Sequence, residues 1–224
     1  MNKVVRKIDH GGREGTPGNY IYVASKTETY SYYGDGSIKT KTDRNGVVTN
    51  YSYDIHRRLI SEAAGDQSVG YSYDNNGNQL TITDSTGVTT RTYDELNRVK
   101  TKDVPNIGQS TYEYDIIGLG EGCVGEKSTD PKGNITQKVY DKVGRLKDVT
   151  ADGKTVTYSY YDNGNRQSIT YDDNSREDYT YYKNNLLKSL TNKKGDQSVI
   201  DTYTYEYDAA KHLTYREEQE VAQA

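Results

Sequence analysis

A chain of 224 residues with 24 Tyr, 21 Gly, 3 Pro, one Cys and no Trp or Phe has the length of one large domain or two small ones. Leu, Ile and Val make up about 17% of it, below the roughly 20% at which disorder becomes the expectation, yet its net charge is only −4. A conventional aliphatic core and a membrane span are both excluded, so tyrosine must supply most of the buried apolar surface.

The first 28 residues read as a Gly-rich lead-in or a degenerate repeat. They contain basic residues but no 7–15-residue apolar run, so they hold no signal peptide. The chain is therefore either cytosolic or a piece of a longer protein. From about residue 29 to 215 a repeat governs the sequence. Tyr-Asp occurs eight times, against about two expected by chance. Seven of the eight keep a register: Tyr53-Asp54, Tyr73-Asp74, Tyr93-Asp94, Tyr114-Asp115, Tyr140-Asp141, Tyr161-Asp162 and Tyr207-Asp208. Tyr33 and Tyr182 extend it, with Gly34 and Lys183 in place of Asp, while Tyr171-Asp172 is out of phase.

Each period carries two turn signals. In the copy starting at Tyr71 these are Asn76-Gly77 and Ser85-Thr86-Gly87, with the alternating segment Leu80-Thr81-Ile82-Thr83 between them. The grammar recurs at Asn45-Gly46, Asp152-Gly153 and Asn163-Gly164. Asn-Gly and Asp-Gly supply the positive φ angles of tight hairpin turns, and Thr and Tyr suit strands. The expected fold is all-β: tandem antiparallel β-hairpin repeats of about 20–22 residues forming a curved strip. The pairs Tyr51/Tyr53, Tyr71/Tyr73, Tyr112/Tyr114, Tyr158/Tyr160, Tyr179/Tyr181 and Tyr203/Tyr205 alternate, so each pair faces one side of the sheet. Tyr160-Tyr161-Asp162 carries one residue more than Tyr71-Ser72-Tyr73-Asp74, which predicts a bulge near 158–162. The tail, 216–224, reads as a short helix or a frayed end. No capping repeat is evident, so the terminal strand edges are expected to be sticky.

Tyr140-Asp141-Lys142-Val143-Gly144-Arg145-Leu146, with looser copies at Tyr93 and Tyr53, resembles the YD or RHS repeat. The likeness covers about residues 28–215. It implies a β-hairpin strip that is part of a spiralling shell, as in bacterial Rhs and wall-associated proteins, insecticidal Tc toxin components and teneurins. It implies as partners the flanking repeats of a longer chain or an encapsulated C-terminal toxin domain. It also implies a secreted or cell-surface location within a longer bacterial protein, and delivery of the toxin in competition between cells. On this reading the chain has no catalysis of its own. Its signature residues are structural: the seven in-phase Tyr-Asp pairs with Gly77, Gly144, Arg145, Leu146 and Gly164. The alternative is a carbohydrate- or cell-surface-binding module that uses the tyrosine-rich strands.

Other chemistry reads weakly. The mild acidity argues against nucleic acid, whose phosphates need clustered Lys and Arg. Lone Cys123 gives no intrachain disulfide and no Cys-based metal site. Gly120, Gly122 and Gly125 match a dinucleotide fingerprint, but no strand-then-helix context surrounds them. They read as a loop insertion that exposes Cys123, so no cofactor is expected. His10, His56 and His212 stand far from Cys123 in sequence and read as solvated turn residues. Asp-rich turns could hold Ca²⁺, but an Asp that caps its own turn explains the position better; no metal is expected. Asp130-Pro131 has the letters of a self-cleavage motif but sits in a mid-repeat turn.

Overall fold

The computed structural model describes residues 4–9, 13–16, 19–22 and 26–220, with side chains for 4–8 and 26–220. Every regular element among them is a β-strand. Two compact units divide at Gln109/Ser110.

The first unit contains β1 (Arg6–Asp9), β2 (Arg13–Thr16), β3 (Asn19–Tyr22), β4 (Lys26–Tyr32), β5 (Ile38–Thr42) and β6 (Val48–Tyr53). It continues with β7 (Leu59–Ala64), β8 (Gln67–Tyr73), β9 (Gln79–Asp84), β10 (Gly87–Tyr93) and β11 (Val99–Val104). β2 and β3 pair with each other. β1 pairs with β4, and from β4 to β11 each strand pairs antiparallel with the next.

The second unit begins with β12 (Gly108–Ile116), which crosses the boundary, then β13 (Val124–Thr129), β14 (Ile135–Tyr140), β15 (Leu146–Ala151) and β16 (Lys154–Tyr160). It ends with β17 (Arg166–Thr170), β18 (Arg176–Tyr181), β19 (Leu187–Lys193), β20 (Val199–Tyr207) and β21 (Leu213–Glu220). Here too each strand pairs antiparallel with the next. The segment from Tyr215, expected to be helical or frayed, is strand as far as Glu220, where β20 offers it a partner edge. Residues 221–224 of that expected tail, and His10, lie outside the described residues.

Alternation along each strand produces two unlike faces. Tyr71 and Tyr73 share one face, and Ser72 points to the other. Across the ladder Tyr71 meets Ile82, and Ser72 meets Thr81. The same split holds in the second unit, where Tyr179 meets Leu190 and Thr180 meets Ser189. The hydroxyl face is stitched rung by rung: Ser31–Thr40 at 2.6 Å, Ser72–Thr81 at 2.6 Å, Thr92–Thr101 at 2.7 Å, Ser159–Ser168 at 2.7 Å and Thr180–Ser189 at 2.6 Å. Each ladder is one sheet thick. Among the described residues only Cys123, Val139 and Ile169 are buried apolar side chains, and Ser168 is the buried polar one.

Antiparallel alternation also sorts the turns within each unit. The turns that follow β4, β6, β8 and β10 lie along one rim of the first unit, and those after β5, β7 and β9 along the other. Most turns share one geometry. A closing residue donates its N–H to the carbonyl four residues on, and its own carbonyl accepts from the residue three on: Asp74 with Asn78 and Gly77, Asp141 with Arg145 and Gly144. This is a three-residue hairpin loop, a type I turn followed by a left-handed residue. The left-handed position is held by Gly36, Gly46, Gly77, Gly133, Gly144 and Gly164, and elsewhere by Arg57, Asn97, Asn174, Asn185, Gln197 or Lys211.

The bulge expected near 158–162 lies between Ser159 and Tyr160. The same register shift occurs at Ser31/Tyr32, Ser52/Tyr53, Ser72/Tyr73, Thr92/Tyr93, Thr180/Tyr181 and Glu206/Tyr207. It is therefore not an insertion peculiar to this copy, and the turn alone does not impose it, since β5–β6, β13–β14 and β17–β18 carry the same left-handed residue with no register shift.

At Gly144, φ is +82° and an added Cβ would meet nothing within 4 Å, so substitution there reports backbone strain alone. Gly144→Ala is expected to destabilise by about 1–2 kcal/mol, and Gly144→Asn by clearly less, since Asn tolerates this conformation. Urea unfolding midpoints of the two variants check the order.

Candidate functional site

The repeated closing turn and its link to the next hairpin form the chemical centre of the chain. Where the closing residue is Asp, one carboxylate oxygen accepts the backbone N–H groups two and four residues on. Asp54 accepts from His56 and Arg58, Asp74 from Asn76 and Asn78, Asp94 from Leu96 and Arg98, and Asp141 from Val143 and Arg145, all at 2.8–3.0 Å. The other oxygen receives the fifth residue's side chain: Arg58 Nε at 2.6 Å, Asn78 Nδ2 at 2.8 Å, Arg98 Nε at 2.8 Å and Arg145 Nε at 2.7 Å. The carboxylate thus satisfies two donors that a tight turn would otherwise leave to water.

These bonds favour the ionised form. Burial opposes ionisation of Asp54 and Asp141, but the Arg58 and Arg145 N–H groups and guanidinium groups outweigh it and hold both carboxyls below the usual range. The Arg98 N–H leads the same effect at Asp94, and the Asn78 side-chain amide leads it at Asp74.

The fifth residue also reaches forward. Arg58 Nη1 donates to the Asp74 carbonyl at 2.8 Å, with the guanidinium 4.8 Å from the Tyr73 ring centroid. Arg145 repeats this, with Nη1 3.3 Å from the Tyr161 carbonyl and the guanidinium 4.7 Å from the Tyr160 ring. The tyrosines reach back: the hydroxyls of Tyr73, Tyr93 and Tyr160 donate at 2.7–2.8 Å to the carbonyls of Leu59, Gln79 and Leu146. At Arg58/Tyr73 and Arg145/Tyr160 one hairpin thus holds the next through an arginine and a phenol, while Asn78 reaches Asn97 at 2.7 Å beside the Tyr93 phenol.

Two signature pairs sit differently. Tyr161 itself closes its turn, pairing with Asn165 and Gly164, so Asp162 stands one place beyond the position that Asp74 fills. Tyr33, Tyr171 and Tyr182 close turns in the same way. In these the capping carboxylate or amide moves two residues on: Asp35 accepts from Ser37, Asn163 from Asn165, Asp173 from Ser175 and Asn184 from Leu186. At Tyr114-Asp115 no turn closes; β12 continues to Ile116, with Asp115 at φ +54° and a register shift against β13. Gly77, Gly144 and Gly164 occupy the left-handed turn position, and Leu146 starts β15. Asp208 closes the β20–β21 turn, with Oδ2 3.1 Å from His212 Nδ1.

Face tyrosines pair with glutamates. Tyr71 donates to Glu62 at 2.7 Å and Tyr203 to Glu218 at 2.7 Å, while Tyr171 at 2.5 Å and Tyr179 share Glu177. The glutamate hydrogen bond, then burial, pushes Tyr71, Tyr171 and Tyr203 up to about 12. For Tyr179 burial leads and Glu177 adds, again to about 12.

The remaining sequence candidates separate. Gly120, Gly122 and Gly125 run from a loop into strand β13, with no helix after them. Cys123, expected to be exposed, is 8% exposed, because the loop folds back and its neighbours close over the thiol, whose Sγ lies 3.8 Å from the Glu121 carbonyl. Asp130 closes the β13–β14 turn and caps Lys132 and Asn134, with Pro131 inside the loop. His56 is an exposed turn residue. Among the described residues no three His, Cys, Asp or Glu side chains group to hold a metal ion, and no helix is long and apolar enough to cross a membrane.

Sequence reasoning missed the stitching of the hydroxyl face and the forward reach of arginine. Both leave a signal: the hydroxyl residue of Tyr-x-Tyr at 31, 72, 159 and 180 is answered by another nine residues on, and Arg stands four after the closing Asp at residues 58, 98 and 145.

Comparison with known proteins matches residues 35–220 to the family described as Teneurin YD-shell. No curated protein matches the chain. A crystal structure of TcdB2-TccC3-Cdc42 is similar at 15% identity and a TM-score of 0.40, over 99% of this chain and 15% of that one. A mutant Tc holotoxin pore of Photorhabdus luminescens is similar at 14% identity and a TM-score of 0.38, over 98% and 15%. A porin-like protein of Bacteroides uniformis matches at 11% identity and a TM-score of 0.27, over 87% and 88%. The chain thus spans about 15% of the length of the toxin chains it matches.

Two pH limits follow from the paired groups. The lowered aspartates contribute stability that is fully present above their ordinary value of 3.8 and fades as pH falls through the lower folded value. The urea midpoint is expected to drop as pH is lowered below 3.8, and Asp141→Asn should flatten part of that drop. The raised tyrosines contribute stability that is full below pH 10 and lost as pH rises through about 12. Absorbance titration at 295 nm should show a late-ionising class of phenols, and Glu177→Gln should move two of them earlier. In a double-mutant cycle, Arg145→Ala and Tyr160→Leu are expected to couple by about 0.5–1 kcal/mol.

Proposed function

The chain belongs to the teneurin YD-shell family, and from that premise we propose that it forms part of a wall that encloses a C-terminal toxin domain and helps deliver it to other cells. Its role is structural, carried by the repeated turns and ladders, with the Tyr-Asp signature residues shaping turns and no chemistry done at them. The location that fits this role is the cell surface or the exterior, within a longer bacterial protein. The observation that carries the reading is the bracing of one hairpin by the next: Arg58 donates to the Asp74 carbonyl and Arg145 to the Tyr161 carbonyl, while Tyr73 and Tyr160 reach back. A sheet one layer thick with almost no buried side chains gains its order from the hairpin next to it. Such a construction suits a wall whose two faces meet different surroundings.

The test uses the native polypeptide that carries this segment, treated with trypsin across a urea series. A non-repeat domain in the same polypeptide is expected to stay uncut while the repeats are folded and to be cut once they open. Equal cleavage in both conditions would count against enclosure.

A second reading, carbohydrate binding, is favoured by a depression of about 270 Å³ lined by Tyr112, Tyr114, Glu126, Ser128, Thr136 and Lys138. Its floor is small and hydroxylated where Ser128 meets Thr136. Titration with a neutral and an acidic glycan, followed by tyrosine fluorescence, checks it. A change that Tyr112→Ala removes would support it, and no change with either glycan would dispose of it.

A further inference from the structure

On one rim of the second unit, two consecutive hairpins are closed by tyrosine. Tyr161 closes the β16–β17 turn and Tyr182 the β18–β19 turn. Among the described residues this rim holds the one place where two closing tyrosines follow each other. Each ring is fixed at both ends. The hydroxyl of Tyr161 donates to the Tyr179 carbonyl at 3.0 Å, and that of Tyr182 to the Tyr205 carbonyl at 3.0 Å. Each ring then stands edge-on to the tyrosine of the next hairpin: Tyr161 against Tyr181 at 6.3 Å and 89°, Tyr182 against Tyr207 at 6.3 Å and 89°. Both closing tyrosines nonetheless remain open to solvent, Tyr161 at 36% and Tyr182 at 38%.

Two hollows open at these pairs. One, of about 500 Å³, is lined by Tyr161, Tyr181 and Tyr182; the next, of about 580 Å³, by Tyr182, Leu186 and Tyr207. They adjoin along the rim, with Tyr182 and Lys183 lining both. Lys188 stands over the Tyr182 ring, with Nζ 5.9 Å from its centroid. The local charge is acidic by one, with Asp162, Glu206 and Asp208 against Lys183 and Lys188.

The geometry points to a proline-rich peptide in the polyproline II conformation as the occupant, and we infer that these adjoining hollows are its docking site. Three observations select it. Successive hairpins are two strands apart, about 9.5 Å. A polyproline II helix repeats every three residues, about 9.3 Å, so prolines three apart fall into successive tyrosine slots. The rings are held by their hydroxyl bonds before any ligand arrives, which lowers the ordering cost for a ligand that is itself stiff. The three carboxylates complement a basic residue flanking the prolines. In the first unit Tyr33 makes the same edge contact with Tyr53 at 6.2 Å, but Asp54 closes the following turn, so that slot stands alone and cannot hold two prolines in register. The inference rests on the second unit and is independent of the shell role.

Fluorescence anisotropy on the whole chain tests it, with a labelled peptide carrying two prolines three residues apart followed by arginine. Moving the prolines to a four-residue spacing should weaken binding at least tenfold, and replacing the arginine by glutamate at least fivefold. Tyr182→Ala should weaken it at least tenfold, and Tyr33→Ala should leave it unchanged. Should Tyr182→Ala fail to fold by circular dichroism, the peptide series on the unmutated chain still decides. No binding, equal binding of both proline spacings, or equal loss with Tyr33→Ala would overturn the inference.

Discussion

Closure of a five-residue turn by one side chain is the constraint on which the rest depends. A sheet one layer thick has no second layer to fix its register, so register must be set at the turns. The closing aspartate does this by accepting two backbone N–H groups with one oxygen and the fifth side chain with the other. The left-handed residue between them lets the chain reverse within a three-residue loop. Where tyrosine closes the turn, the same backbone bonds form and the cap moves two residues along. The turn is thus conserved in geometry while its chemistry alternates, and the freed position carries an aromatic ring to the rim.

Energetics follow the same division of labour. A hairpin alone is marginal, and almost no side chain here is fully withdrawn from water. What the ladder lacks in apolar burial it recovers through many part-buried polar contacts: hydroxyl rungs on one face, phenol–glutamate pairs on the other, and guanidinium bridges along the rim. Each is worth little by itself, but they recur along the array and are mutually compatible. The same feature makes the chain sensitive at both ends of the pH scale, because carboxylates and phenols hold complementary parts of the network.

Much of this was legible in the sequence. The period of Tyr-Asp, the Asn-Gly and Asp-Gly turns and the Tyr-x-Tyr alternation specify antiparallel hairpins because each is a local rule with a direct backbone consequence. The capping role of Asp54 or Asp141 was equally legible, since it acts within five residues. What escaped was whatever depends on the frame. At Tyr161-Asp162 the extra residue is visible but reads only as a bulge; the hydrogen bonds of the turn show that Tyr160 is equivalent to Tyr73 and Tyr161 takes the closing position. Tyr114-Asp115 keeps the letters but loses the turn to a longer strand and a loop. Cys123 was misplaced for a related reason: a glycine-rich loop reads as exposed, while its burial depends on how that loop folds back. The tail misled because helical composition in isolation yields to an available strand edge.

The sorting of turns onto two rims has an evolutionary corollary. Adding or deleting two strands leaves every later signature turn on its own rim and every tyrosine on its own face. Removing a single strand would send all subsequent Tyr-Asp turns to the opposite rim and break the bridge that spans the lesion. Growth and shrinkage of such an array by recombination are therefore quantised in whole hairpins, and relatives of different length should differ by multiples of that unit.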